Sequence, residues 1–123
     1  MGNPVVHFEI MARDAPTLQR YYAELFGWSF QHSGGPDGYG VIARDQNMSP
    51  DGFGIGGGIG AAPDGYSGHV TFYVSVDDVE AALTKAESLG GRRMMGPEQP
   101  IEGLEIGLFL DPEGHTVGVV KPG

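Results

Sequence analysis

The sequence predicts an α+β fold made of two β-α-β-β-β modules, and three observations predict it. Two stretches, Val5 to Met11 and His69 to Val76, alternate polar and apolar residues with the period of a strand. Each leads into apolar residues at helical spacing, opened by an aspartate and closed by a glycine. The landmarks then recur at a nearly constant offset. His7 and His69 lie 62 residues apart, as do Pro50-Asp51-Gly52 and Pro112-Glu113-Gly114, and the pairs Asp14/Asp77 and Gly27/Gly90 lie 63 apart. Module one covers about residues 1–60, a linker 61–68, and module two about 69–123.

In the first strand Val6, Phe8 and Ile10 form one face and His7, Glu9 and Met11 the other. Asp14 is the expected N-cap of a helix with Pro16 in its first turn, where a missing N–H costs little. Leu18, Tyr21, Tyr22, Leu25 and Phe26 form its apolar stripe, and Gly27 ends it. Strands are expected over Trp28 to His32, Tyr39 to Asp45 and Phe53 to Ile59, with a turn at 33–38. In the second module His69, Thr71, Tyr73 and Ser75 share one strand face. Asp77 or Asp78 caps the next helix, with Glu80 spaced for a capping box with Asp77. Val79, Ala82, Leu83, Ala86 and Leu89 are its buried stripe and Gly90 its stop. Strands follow over Arg92 to Gly96, Leu104 to Leu110 and Thr116 to Lys121, with a loop from Pro97 to Gly103.

Composition narrows the function classes. At 123 residues the chain is sized for one domain. It has no cysteine, so neither disulfides nor thiolate chemistry enter. The net charge is −9, with 7 lysines and arginines, which disfavours nucleic acid, whose phosphates demand a positive footprint, and anionic membranes. No apolar run reaches the roughly 20 residues that span a bilayer. The start, Met-Gly-Asn-Pro-Val-Val-His, has neither a basic region nor an apolar one, so the expected location is cytoplasmic. The glycine run from Gly54 to Gly60 lacks the Gly-Lys-Ser/Thr ending of a phosphate loop.

Several stretches carry a family resemblance: Val5-Val-His-Phe-Glu-Ile10, Tyr22-Ala-Glu-Leu-Phe-Gly-Trp28, Gly54-Ile-Gly-Gly-Gly58, Val76-Asp-Asp-Val79 and the turn Asp111-Pro-Glu-Gly-His115. Together they make the whole chain resemble the vicinal oxygen chelate superfamily of glyoxalase I, bleomycin-resistance proteins and extradiol dioxygenases. The resemblance implies two β-α-β-β-β modules forming cupped mixed sheets with helices outside, and pairing as a homodimer. It implies that His7 and His69 fill the first-strand positions of a metal site. The carboxylate positions, four residues after each turn glycine, fall on Gly56 and Gly118. Imidazoles without carboxylates suit Mg²⁺, Mn²⁺ or Ca²⁺ poorly, so no cofactor is expected.

Two functions follow as expectations. One is metal-independent binding of a small organic molecule, with His7, Glu9, Trp28, His69, Thr71 and Tyr73 lining the cup and Gly56 and Gly118 leaving room for the ligand. The other is a lyase, isomerase or dioxygenase in which His7 and His69 hold Zn²⁺, Ni²⁺, Mn²⁺ or iron. Glu9 lies about 6.5–7 Å along the strand from His7 and would complete that set or act alone as a general base.

Overall fold

A computed structural model describes residues 2–33 and 38–122, so most of the turn expected at 33–38 lies outside the described residues. Each half of the chain has one helix and a mixed four-stranded sheet, the α+β arrangement that the sequence predicts. The halves are compact units with their own boundaries: His7–Val70 is one, and the residues through Val6 together with Thr71 onward are the other.

In the first unit β1 (Val5–Ala12), which belongs to it from His7 onward, leads into α1 (Ala15–Phe26), β2 (Gln31–Ser33), β3 (Tyr39–Ile42), a 3-10 turn at Arg44–Gln46 and β4 (Gly56–Ala61). The strand order is β2-β3-β4-β1. β3 runs antiparallel to both neighbours, and β4 runs parallel to β1 with Gly56 level with His7. Ile42 and Ile59 are fully buried, with Ile10, Ala12 and Ala15 beside them in the buried set.

Asp14 caps α1 as expected, its Oδ1 accepting from the Thr17 amide at 3.2 Å and its Oδ2 from the Thr17 hydroxyl at 2.9 Å. Gly27 closes the helix at φ 75°, a left-handed conformation that costs glycine little. The buried face of α1 differs from the expected stripe. It is set by Ala15 and Gln19, one turn apart, while Tyr21, Leu25 and Phe26 are more than half exposed. A hydrogen-bonded glutamine takes the inner position: Gln19 Nε2 donates to the Ile59 carbonyl at 2.7 Å, and its Oε1 bonds His32 Nε2 at 2.7 Å. That pairing removes the cost of burying an amide. It also rotates the ring-bearing face of the helix to the surface.

The second unit takes β5 (His69–Ser75) from Thr71 onward, with α2 (Val79–Ser88), β6 (Arg92–Ile101), β7 (Leu104–Leu110) and β8 (Thr116–Lys121), while His69 and Val70 at the start of β5 belong to the first unit. The order is β5-β8-β7-β6, with β5 parallel to β8 and Tyr73 level with Gly118. The period of two divides the apolar side chains cleanly. Tyr73, Leu108 and Val120 form one cluster, with Met95, Leu104 and Ile106 against it. Val79, Leu83 and Val119 form the other, with Phe109, Ala82 and Val76. Full burial of Val79 and Leu83 contributes about 1.5–3 kcal/mol each.

Several boundaries differ from the sequence reading. The cap of α2 is Asp78, whose carboxylate accepts from the Ala81 amide at 3.0 Å. Glu80 makes no capping box because it forms a two-point contact with Arg93, at 2.9 and 2.6 Å. Leu89, expected in the buried stripe, is 71% exposed. β6 continues through the expected loop to Ile101, with register shifts along its pairing to β7. Trp28 precedes β2 rather than opening it, β3 stops at Ile42, and β4 begins at Gly56 rather than Phe53.

Candidate functional site

The polar face of β1 carries a continuous chain of hydrogen bonds within the first unit. Tyr39, the first residue of β3, donates its hydroxyl hydrogen to Glu9 Oε1 at 3.1 Å. His7 Nε2 lies 2.9 Å from the same hydroxyl. A phenol has one hydrogen, so with that hydrogen on Glu9 the His7 Nε2 is the donor. On the other side His69 Nε2 meets Glu9 Oε2 at 2.8 Å, and His69 Nδ1 meets the Tyr66 hydroxyl at 2.6 Å. The order is therefore His7, Tyr39, Glu9, His69, Tyr66. At its centre are side chains with little exposure, 11% for Glu9 and 7% for His69.

Burial holds the His7 pKa below its ordinary 6.5, with the Glu9 charge opposing part of that shift. The imidazole is neutral at pH 7 and carries its hydrogen on Nε2. Glu9 meets the Tyr39 hydroxyl at one carboxyl oxygen and His69 Nε2 at the other.

Glycines shape this face. A Cβ at Gly58 or Gly60 would run into the Tyr39 ring, and one at Gly57 into the Phe8 ring. Gly58 and Gly60 make a bed for the Tyr39 ring, which lets its hydroxyl reach between His7 and Glu9, while Gly57 makes room for Phe8 on the opposite face.

His7 and Glu9 share a face as the alternation suggested, and His69 joins them by its bond to Glu9. Tyr39 and Tyr66 escaped the sequence reading. In the sequence Tyr39 opens an expected strand and Tyr66 falls within the expected linker. The available signals were the glycines level with Tyr39's ring and the three-residue spacing of Tyr66 from His69.

Other expected site residues are placed elsewhere. Thr71 and Tyr73 are buried in the second unit, at 7% and 5% exposure. The Thr71 hydroxyl donates to the Thr116 carbonyl, and the Tyr73 ring belongs to the core cluster with Leu108 and Val120. Gly118 does not open ligand space, because a Cβ there would fall 2.5 Å from the Tyr73 ring that covers it. Gly56 faces backbone, with the Ile42 carbonyl 2.9 Å from where its Cβ would be. Nor do the four positions match by register, since Gly56 is level with His7 but Gly118 with Tyr73. Trp28 stacks against Phe8, Phe26 and Tyr22 at centroid distances of 5.2, 5.1 and 5.7 Å. Phe8 alternates with His7 and Glu9 along β1, so Trp28 packs on the apolar side of that strand. Among the described residues, no three His, Asp or Glu side chains converge as a metal ion requires.

Comparison with known proteins agrees with this architecture. A family model described as a glyoxalase-like domain matches residues 6–120. The protein CFP32 of Mycobacterium tuberculosis is 27% identical over 111 residues, which cover 90% of this chain and 42% of CFP32. This chain thus spans less than half of that relative's length. A glyoxylase-like domain-containing protein of Didymella fabae is 27% identical over 94% of this chain and 91% of its own. Among solved structures, Streptomyces coelicolor methylmalonyl-CoA epimerase superposes with a TM-score of 0.67 at 17% identity, covering 98% of each chain. A glyoxalase/bleomycin resistance protein/dioxygenase superfamily member from Vibrio splendidus gives 0.63 at 14% identity, over 98% and 99% of the two chains. At these identities the solved structures share the fold. No helix among the described residues is long and apolar enough to cross a membrane.

Proposed function

We propose, given that this chain belongs to the glyoxalase-like domain family, that it binds a small organic molecule at the polar face of β1 without a resident divalent ion. His7, Tyr39, Glu9 and His69 supply the hydrogen bonds. The observation that carries this reading is the placement of the Tyr39 hydroxyl between His7 and Glu9. A catalytic metal centre needs three donors aimed at one point. Here His7 is held one hydroxyl away from the carboxylate, both oxygens of Glu9 accept from protein groups, and both nitrogens of His69 are engaged. An ion would have to break these bonds to gain two imidazoles and a carboxylate. The donor set does not fit a resident metal.

The test is elemental analysis and thermal melting of protein purified without a histidine tag. The expected protein is metal-free, and added Ni²⁺, Zn²⁺ or Mn²⁺ leaves its Tm unchanged. A stoichiometric ion that disappears in the His7→Ala, His69→Ala double variant would overturn the reading. A screen of neutral and cationic organic molecules should then give hits. A ligand at about 100 times its Kd adds about 2.7 kcal/mol to stability. A hit should lose most of its shift in Tyr39→Phe. If it keeps the full shift there and in Glu9→Gln, binding occurs elsewhere.

A second reading has its own support in the buried Glu9 side chain, fixed in place by Tyr39 and His69. Such a group can take a proton from a carbon acid beside a carbonyl. The methylmalonyl-CoA epimerase among the structural neighbours makes proton transfer the reaction class to try first. Exchange of a bound ligand's C–H hydrogen in D2O, abolished in Glu9→Gln, is the outcome this reading requires. Ligands that bind with no exchange would leave binding alone.

A further inference from the structure

A cleft of about 490 Å³ lies within the first unit, between the C-terminal end of α1 and the loop that joins β3 to β4. Phe26, Trp28 and Phe53 give it aromatic walls, and Asn47 and Ser49 give it polar ones. We propose that this cleft is a second binding site, separate from the His7–Tyr39–Glu9–His69 chain, and that it takes a planar aromatic cation.

The site is built rather than incidental. Trp28 is wedged among Phe8, Tyr22 and Phe26, and its indole N–H donates to Asn47 Oδ1 at 3.1 Å. Asn47 in turn donates to the Ile55 carbonyl at 2.8 Å, which fixes one wall. The opposite lip is a turn closed by three bonds. The Ser49 amide donates to the Phe53 carbonyl at 2.7 Å, the Phe53 amide to Ser49 Oγ at 3.0 Å, and the Gly52 amide to the Ser49 carbonyl at 3.0 Å. A Cβ at Gly54 would strike the Asn47 carbonyl, so the loop closes onto Asn47 only with glycine there. This bonded turn holds Phe53 out at 74% exposure, beside Phe26 at 57%. A ring left in water in this way gains from being covered, and a flat ligand laid against it would cover it.

Charge selects the ligand class. The lining contains no lysine, arginine or histidine. The Asp51 carboxylate bonds the lining Ser49 hydroxyl at 2.7 Å and so stands at the rim. The whole chain carries −9. Ring faces and a rim carboxylate both attract a cation, and the long-range field concentrates cations over anions.

Trp28 is the single tryptophan of the chain, so its indole N–H gives one unmistakable NMR resonance inside the cleft. The protein is titrated with N-methylquinolinium and, separately, with naphthalene-2-sulfonate, a flat anion of similar size. The expected result is a saturable movement of the Trp28 indole and Asn47 side-chain amide resonances with the cation. The anion should bind about tenfold more weakly. Phe53→Ala should weaken the cation about tenfold, and this exposed side chain can be removed without unfolding the protein. The Gly58 and His69 amides should stay in place. No saturable movement in the natural protein, equal binding of the anion, full affinity in Phe53→Ala, or movement confined to Gly58 and His69 would each overturn the proposal.

Discussion

Tyr39 links two titratable side chains through one hydroxyl. Its ring lies over Gly58 and Gly60, and its oxygen bonds both Glu9 and His7. Tyr39→Phe keeps the ring and takes away one partner from each neighbour. The expected cost is about 1–3 kcal/mol in urea unfolding, because part-buried polar groups each lose a hydrogen-bond partner. Tyr21→Phe, at a residue 57% exposed, should leave the midpoint where it is. His7 gives a second prediction. Its folded pKa is depressed, so below about pH 6.5 the unfolded chain binds a proton that the folded protein resists. The stability tied to this group is complete above that pH and is lost as pH falls through it. His7→Gln should flatten the decline of the urea midpoint as pH falls below about 6.5; parallel declines in the two proteins would refute the burial of His7. At this scale the polar face was readable, since alternation alone places His7 with Glu9. The phenols were not, because a tyrosine's partner is set by strand register and by the glycines opposite its ring.

Each helix shows how a local signal competes with a longer-range one. Asp14 and Gly27 bound α1 where the sequence puts them, because caps act within one turn. The aspartate pair before α2 was ambiguous, and Arg93 resolves it. Arg93 holds Glu80 at both oxygens, reaches Glu87 at 3.3 Å, and drives the Glu80 pKa down to about 2. Glu80 is therefore unavailable to a capping box, and Asp78 caps alone. Asp78→Ala should lower stability by about 1 kcal/mol, while Asp77→Ala should change it by less than about 0.5 kcal/mol in the same denaturation assay. The helix faces were harder to read. Spacing identifies an apolar stripe on α1, yet Gln19 faces inward because the Ile59 carbonyl and His32 meet its amide. No periodicity of hydrophobicity can signal a buried residue that is polar.

The compact units do not divide the chain where the repeat does. The N-terminal residues through Val6 belong with Thr71 onward, and the bonds that tie them are explicit. The Ser75 amide donates to the Pro4 carbonyl at 2.9 Å, and Asn3 Nδ2 donates to the Ser75 carbonyl at 2.9 Å. Removal of residues 1–4 should therefore speed hydrogen exchange at the Ser75 amide. The Ile59 amide in the first unit should keep its protection. Equal acceleration at both would show instead that the arm supports the entire chain. The repeat itself also shifts along the structure. Helix caps Asp14 and Asp78 lie 64 apart, whereas the closing strands begin at Gly56 and Thr116, 60 apart. A constant offset of 62 thus averages two different spacings, and this is why His7 and Tyr73, not His7 and His69, stand level with the paired glycines.

The sequence by itself determined the α+β class, the order of elements, the cap of α1, the two closing strands of the second unit and the polar face of β1. All of these follow from period, capping and turn chemistry, which act over a few residues. The tertiary structure alone decided that Tyr39 separates His7 from Glu9, that Tyr66 and Glu9 take both nitrogens of His69, that Tyr73 fills the space beside Gly118, and that Trp28 lines a cleft of its own. Those outcomes depend on strand register and on which ring occupies the room a glycine leaves. Both are settled by packing between residues distant in the chain, where the local pattern carries no information.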